Sequence, residues 1–328
     1  MRVFVVGCGS WGTAFARLLA LQGHAPTLVC RDAAQADAIV RHRRNPRHLY
    51  DVVLPDALDA CPLVGADFAG ADLVALAVPS RAFAQAAGEV VPRAGEGPAL
   101  LSMTKGLDPG SGRRLSQILG EMAGADRVAV LSGPNHAEEV ARDFPTASVL
   151  ASLDTDLARR LQEQIGARRL RIYTSTDVIG VELCAAAKNV IGLAAGVSDG
   201  LGFGDNAKAA IITRGMAEMA RMGEGFGARA RTYSGLAGMG DLVATCTSRH
   251  SRNRKAGELL AKGVRAEWIE RDIGQVVEGL STSRALRDLA ADRGLELPIT
   301  SAVCDVAWGG VTATDALAAL MAREQTEE

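Results

Sequence analysis

Residues Gly7-Cys8-Gly9-Ser10-Trp11-Gly12 directly follow a short apolar run and open a helical pattern. That is the setting in which a G-x-G-x-x-G fingerprint cradles the pyrophosphate of a dinucleotide. In such a cradle Gly7 allows the tight turn and Gly9 lets the backbone approach the phosphates. Gly12 permits close strand–helix packing, and the helix N-terminus attracts the anion. A glycine-rich turn with no ligand is the bland reading, and the strand–turn–helix context argues against it. The second apolar run closes on Cys30-Arg31-Asp32. A carboxylate at this point bonds the ribose 2′-hydroxyl of NAD, whereas an arginine accommodates the 2′-phosphate of NADP. Arg31, with Arg43, Arg44 and Arg47 downstream, tilts the reading toward NADP, although a solvated basic helix face accounts for part of that set.

Lys188 is the most informative single residue. Its helical neighbours are Val181, Cys184, Ala185, Ile191 and Gly192, which places it on an apolar, small-residue stripe. Lysine is seldom buried without a reason, and burial favours the neutral amine, as a general acid or base requires. The alternative is a stem that snorkels past the core to solvent. Three segments lie just beyond strand C-termini, where open α/β sheets bind ligands: Val78-Pro79-Ser80, Ser102-Met103-Thr104-Lys105-Gly106 and 131–137, Leu-Ser-Gly-Pro-Asn-His-Ala. Lys105 can pair with an anion or polarise a carbonyl, and Asn135 with its Gly133-Pro134 turn can hold a substrate polar group. Gly235–Asp241 places a carboxylate after a flexible turn. The stretch Thr245–Lys255 opens a helix with Arg252 near its start, which suits a phosphate or, on the bland reading, a solvated basic helix start.

The elements that must position these groups follow from patterning. Runs at Arg2–Val6, Thr27–Cys30, Asp72–Val78, Ala99–Met103, Arg127–Leu131, Ala147–Ala151 and Arg169–Tyr173 are apolar nearly throughout, as in parallel strands covered on both faces. Helical patterns lie between them, for example Ala14–Gln22 and Ala33–Arg44. This alternation predicts an α/β, Rossmann-type doubly wound sheet over residues 1–175. An all-helical domain over 176–328 should follow. Its first helix starts at Thr176 or Asp177 and ends near Ala195, with a glycine-rich loop at Gly196–Gly204 and a second helix from Asp205 or Asn206 to Met222. Further helices are expected at Ser251–Lys262, Ile273–Val277, Ser281–Arg293 and Thr314–Arg323, with Thr314 as N-cap, and the Glu-rich last residues should form a solvated tail.

Composition excludes several classes. The 328 residues are 48% hydrophobic and 23% charged, ordinary globular values, which rules out disorder. A net charge of −2 and only 4% aromatic residues argue against nucleic acid and anionic membrane surfaces. Six cysteines with no C-x-x-C pair and five histidines without ligand spacing argue against structural metal and a disulfide framework. Reduced thiols in a cytoplasm fit better. The longest apolar stretch, Val178–Val197, is interrupted by Glu182 and Lys188, so neither a signal peptide nor a membrane span is expected.

Taken in order, Gly7–Gly12, Leu131–Ala137, Lys188-Asn189-Val190, Gly200–Lys208, Gly238–Leu242 with Thr245, Ser251-Arg252-Asn253 and 276–279 (Val-Val-Glu-Gly) resemble the bacterial-type NAD(P)-dependent glycerol-3-phosphate dehydrogenases over about residues 1 to 310. The resemblance implies a C-terminal domain like that of 6-phosphogluconate dehydrogenase. It also implies coenzyme contacts at Ser10, Trp11, Arg31, Lys105, Ala137, Arg252, Val276 and Glu278, beside Gly7, Gly9 and Gly12. His48 stands where the family often has a tyrosine coenzyme contact. Substrate contacts are implied at Lys105, Gly133, Asn135, Lys188, Asp241, Ser251, Arg252 and Asn253, with Lys188 as proton donor and acceptor. The implied reaction is reversible reduction of dihydroxyacetone phosphate to sn-glycerol 3-phosphate with NADPH or NADH, supplying glycerophospholipid synthesis in the cytoplasm, by a chain that pairs as a homodimer. Two rival classes are another two-domain reductase, acting on a ketoacid or 3-hydroxyacid, and a non-catalytic NADPH sensor. The first would need an anchor for a carboxylate rather than a phosphate, and the second leaves Lys188 unexplained.

Overall fold

Valine and phenylalanine alternate at the start of the chain so that Val3 and Val5 face one way and Phe4 and Val6 the other, and all four are buried. Both faces of the first strand are therefore covered, as a central parallel strand requires. The computed structural model describes residues 1–323, so the expected Glu-rich tail lies outside the described residues. Its N-terminal part runs β1 (Arg2–Val6), α1 (Ser10–Leu21), β2 (Ala25–Cys30), α2 (Ala33–His42), β3 (Asp59–Pro62), β4 (Leu73–Leu76), α3 (Ser80–Ala94), β5 (Ala99–Ser102), α4 (Leu115–Ala123), β6 (Val128–Ser132), α5 (Ala137–Val140), β7 (Thr146–Ser152), α6 (Thr155–Ile165) and β8 (Leu170–Ser175). These strands form one sheet in the order β3-β2-β1-β4-β5-β6-β7-β8.

The expected strands form, and two features of the sheet depart from expectation. β7 runs antiparallel to β6, with Ser132 opposite Val149, although an all-parallel sheet was expected. The intervening residues, 133–145, hold a turn and the single turn of α5, and they deliver β7 from the opposite end; β8 is parallel to β7 again through α6. β3 was not expected. Its sequence, Asp-Ala-Cys-Pro, is poor strand material that survives only at an edge, where a proline costs no ladder bond.

The remaining helices are α7 (Val178–Gly200), α8 (Asp205–Gly225), α9 (Ala230–Tyr233), α10 (Asp241–Thr247), α11 (Arg252–Ala261), α12 (Ala266–Ile273), α13 (Glu278–Ala291), α14 (Pro298–Trp308) and α15 (Ala313–Met321), with a π-helical turn at Leu236–Gly240. The chain divides into two compact units. One comprises Met1–Asp108 and Arg113–Glu182; the other comprises Pro109–Gly112 and the chain from Leu183 onward.

Three helical expectations need correction. Gly196–Gly200 is not loop but the last part of α7. Gly192, Gly196 and Gly200 are four residues apart and line one face of that helix. A Cβ at Gly196 would overlap the Arg254 carbonyl, and one at Gly200 would sit 2.6 Å from the Ala261 Cβ. The glycines thus admit α11, rather than breaking α7. The helix expected at Ile273–Val277 lies earlier, as α12, and ends at Gly274, which adopts a left-handed conformation at φ 74°. Thr312, not Thr314, caps α15, its hydroxyl accepting from the Asp315 N–H at 3.1 Å. α9, α10 and α14 were not foreseen. Within the most apolar part of α7, 89% is buried, so this long apolar helix is a core helix.

The expectation of reduced thiols fails at one pair. Cys8 and Cys30 form a disulfide, with Cα atoms 5.3 Å apart, while Cys61, Cys184, Cys246 and Cys304 are free thiols. The pair is 22 residues apart in sequence, but β1 and β2 are parallel neighbours. The second residue past β1 therefore meets the last residue of β2.

Candidate active site

The glycine turn is built as a cradle. Gly7 has φ 113°, and a Cβ there would lie 2.5 Å from the Ala77 carbonyl oxygen at the end of β4. A Cβ on Gly12 would overlap the Gly7 carbonyl, so α1 could not pack this close with any other residue. Around Gly9 the space is open to 4 Å. Gly9 is the N-cap of α1, and it offers no side-chain cap; the first turn carries no acidic residue. Leading N–H groups of a helix left this way suit an anion. The turn is held from behind: the Cys8 carbonyl accepts from Gln35 Nε2 at 3.2 Å and Asn45 Nδ2 at 2.9 Å, and Asn45 Nδ2 also reaches Thr13 Oγ1 at 2.8 Å. Ser10 and Trp11 begin α1, and the buried Trp11 Nε1 has no hydrogen-bond partner among the described residues. These features fit a bound dinucleotide.

Past β2 the charged residues sort themselves. The Asp32 carboxylate accepts from the Ala34 N–H at 2.9 Å, capping α2, and pairs with Arg47. The backbone N–H first, and Arg47 second, hold its carboxyl below the usual range. Arg43, at φ 48°, turns its guanidinium to the carbonyls of Pro55 and Leu58, and Arg44 reaches the Tyr50 carbonyl at 3.0 Å. Of the four arginines, three have structural work and Arg31 is exposed beside the strand end. His48 is half-buried in the loop after α2.

Because β4, β5 and β6 are adjacent, the segments beyond their C-termini gather at one sheet edge. Lys105 Nζ donates to the Gly133 carbonyl and to Asn135 Oδ1, both at 2.7 Å. Asn135 Nδ2 in turn donates to Ser148 Oγ at 3.0 Å, and Ser148 is wholly buried on β7. Gly133, at φ 130°, has Ser148 Cα 3.1 Å from where its Cβ would be. Ala137 is buried at the start of α5. Sequence reasoning grouped Lys105, Gly133 and Asn135; it missed Ser148, whose partner is 13 residues away across an antiparallel ladder.

The second unit holds Lys188 buried at 5% exposure, so its stem does not reach solvent. Its Nζ lies 3.2 Å from Asp241 Oδ1 and donates to Thr245 Oγ1 at 2.8 Å. Asp241 and Thr245 are themselves 2% and 1% exposed. Both stand on α10, which the π-helical turn introduces; such turns recur at functional sites. The carboxylate supplies the countercharge without which a buried ammonium would be severely destabilising. Burial pushes the neighbouring Cys246 thiol up to about 12, which removes it as a nucleophile. Thr245 was absent from the expected contacts, yet it lies four residues after Asp241 on the same helix face, a signal present in the sequence.

The expected phosphate cluster is only partly open. Ser251 Oγ caps α11, accepting from the Arg254 N–H at 3.2 Å. Asn253 is engaged at both ends of its amide: Nδ2 donates to Asn189 Oδ1 at 2.8 Å, and Oδ1 accepts from the Gly279 N–H at 2.9 Å. Asn189, beside Lys188, is thereby a third residue to which the sequence reading gave no role. Arg252 is exposed and donates one N–H to the Val276 carbonyl at 3.1 Å. Val276 is half-buried, and Glu278 opens α13.

A dinucleotide cradle on a doubly wound sheet, joined to a helical unit with a buried lysine–carboxylate pair, defines the class of two-domain nicotinamide-dependent dehydrogenases. Comparison with known proteins narrows this. Residues 2–158 match the family profile of the NAD-dependent glycerol-3-phosphate dehydrogenase N-terminus, and residues 177–318 match that of its C-terminus. The chain is similar to glycerol-3-phosphate dehydrogenase [NAD(P)+] of Moorella thermoacetica, at 45% identity over 99% of this chain and 97% of that one. It is likewise similar to the protein of that name from Chlorobium limicola, at 42% identity over 100% and 99%. The crystal structure of glycerol-3-phosphate dehydrogenase from Coxiella burnetii superposes with a TM-score of 0.93 at 37% identity, covering 98% of this chain and 99% of that one. The chain belongs to the NAD-dependent glycerol-3-phosphate dehydrogenase family.

Proposed function

We propose that this protein catalyses the reversible reduction of dihydroxyacetone phosphate to sn-glycerol 3-phosphate with NAD(P)H. The observation that carries the reading is the buried Lys188–Asp241–Thr245 constellation in a chain that matches the family from end to end. The glycine turn of α1 would hold the reduced nicotinamide coenzyme, which would supply the hydride for the C2 ketone. Lys188 donates its proton to the alkoxide oxygen that develops there, and in the reverse direction takes it from the C2 hydroxyl. Asp241 holds the ammonium in place, and Thr245 fixes its direction by accepting one of its three N–H groups. Lys105, aimed by Gly133 and Asn135, adds positive charge toward the developing oxyanion. Arg252 carries the charge that anchors the substrate phosphate. Ser251 and Asn253 serve chiefly by shaping the start of α11 beside it.

Arg31 favours NADPH in this reading, because Asp32 is already occupied by the α2 cap and Arg47. The reading extends to product delivery for glycerophospholipid synthesis in the cytoplasm and to a homodimer, which a light-scattering mass of one chain would remove.

Lys188→Met tests the central role. It should keep the fold and coenzyme affinity but lose at least about two orders of magnitude in turnover, the scale of acid–base catalysis. Near-normal turnover would remove Lys188 from the mechanism. Initial rates with dihydroxyacetone phosphate, unphosphorylated dihydroxyacetone and ketopantoate should show turnover of the phosphorylated ketone alone. Arg31→Ala should lower the ratio of NADPH to NADH efficiency; an unchanged ratio moves the discrimination elsewhere.

A further inference from the structure

The disulfide joins two parts of the same candidate coenzyme site. Cys8 is the middle residue of the three that connect β1 to α1, flanked by Gly7 and Gly9. Cys30 is the last residue of β2 and immediately precedes Arg31 and Asp32. We propose that Cys8 and Cys30 form a thiol–disulfide site whose oxidation state sets the affinity of the glycine turn for the coenzyme. This rests on the coenzyme reading given above.

Three observations carry it. First, the pairing is exclusive. In the β2–β3 ladder Cys61 stands opposite Val29, and Pro62 stands opposite Cys30. Neighbouring strand positions face opposite ways, so Cys61 packs with Val29 on one face of the sheet while Cys8 and Cys30 pack together on the other. Burial also pushes the Cys61 thiol up, which makes it a poor competitor. Second, the bond completes an anchorage that is otherwise only hydrogen-bonded: Gln35 and Asn45 hold the Cys8 carbonyl, and the sulfur holds its side chain. Third, the two halves differ in burial: Cys30 is 0% exposed and Cys8, in the turn itself, is 7% exposed, so the exchange is assigned to Cys8.

The exchange partner is a dithiol reductant. Its thiolate attacks Cys8 Sγ, the Sγ–Sγ bond breaks, and the electron pair leaves on Cys30 Sγ, which takes up a proton. The second thiol of the reductant then attacks the mixed disulfide and releases the Cys8 thiol. The protein has gained two electrons and two protons, and the reductant has become a disulfide. In the oxidised form the turn is held in the shape that presents the first N–H groups of α1, so less ordering accompanies binding. Reduction leaves it to hydrogen bonds: those of Gln35 and Asn45 to the Cys8 carbonyl, and that of the Gly7 N–H to the Val29 carbonyl at 3.0 Å.

The test uses wild-type enzyme prepared oxidised and after dithiothreitol, with mass-spectrometric mapping of labelled thiols and direct titration of NADPH by Trp11 fluorescence. The expected result is that only Cys8 and Cys30 change labelling state, and that reduction weakens NADPH binding by about three- to tenfold. Turnover at saturating coenzyme should stay the same, and saturating NADP+ should slow the reduction itself. Cys30→Ala should bind as the reduced form does and ignore dithiothreitol, while Cys61→Ala should still respond. Equal NADPH affinity of the two forms, or free Cys8 and Cys30 thiols in enzyme treated with a disulfide oxidant, would overturn the proposal. Failure of NADPH to bind either form would instead overturn the coenzyme reading and this proposal with it.

Discussion

Two glycine-rich beds, one in each unit, do opposite work. In the turn before α1 the outer glycines face protein and the middle one, Gly9, faces open space. Along α7 three glycines face protein: Gly192 meets Thr245 and Asn253, Gly196 meets Arg254, and Gly200 meets Glu258 and Ala261. Helix starts differ in the same way. The start of α1 carries no side-chain cap, whereas the start of α14 is closed by the buried Glu218, whose carboxylate accepts from the N–H of Ile299 and, at 3.1 Å, from the N–H and hydroxyl of Thr300. The start of α1 leaves its backbone donors for a ligand, and the start of α14 has them satisfied within the chain. Glycine content alone does not mark a binding surface.

The sharpest way to break this contrast is to add one methyl to each bed. Gly196→Ala places a Cβ onto the Arg254 carbonyl, a backbone atom that cannot step aside, and should cost at least about 3 kcal/mol. Chemical denaturation measures it; a loss below about 1 kcal/mol would show that α7 and α11 are not packed through this glycine. Gly9→Ala should do the reverse. The backbone there is extended, with φ −74°, and its Cβ meets nothing, so unfolding should barely change. Coenzyme Kd, by contrast, should rise about tenfold, a loss of about 1.4 kcal/mol. Unchanged affinity would separate Gly9 from the pyrophosphate.

The smallest effect concerns the closed helix start. Burial, outweighing the hydrogen bonds from Ile299 and Thr300, raises the Glu218 carboxyl above its ordinary 4.5. A raised carboxyl binds its proton more tightly in the folded chain than in the unfolded one. Its contribution is therefore fully present below about 4.5 and is lost as pH rises through the raised value. Wild-type Tm should fall across that window relative to Glu218→Gln. Parallel Tm–pH curves would show that the carboxyl is not titrating there.

What could be read from sequence was local. The glycine turn is legible because strand, turn and helix follow within a dozen residues, and Lys188 because helical spacing surrounds it with apolar neighbours. Thr245 was within reach by the same spacing. Gln35 and Asn45 behind the turn, Ser148 behind Asn135, and Glu218 at α14 were not, since their partners are 27, 37, 13 and 81 residues away. Only the strand order and helix packing bring them together. The Cys8–Cys30 bond was hidden for the same reason. The α7 glycines were misread as loop because composition was weighed over their spacing of four.

The single reversal in the sheet has a further consequence. Because β7 runs against β6, the chain leaving β6 at Gly133 passes over the beginning of β7, where Ser148 waits for Asn135. The pairing of Leu131 with Leu150 and of Ala129 with Ser152 sets which face Ser148 takes, and a slip of one position would turn it away. The aim of Lys105 is thus set in part by side chains with no polar atom. An apolar substitution at Leu150, far from charge and invisible to any search for catalytic groups, can damage the enzyme as a lesion of alignment.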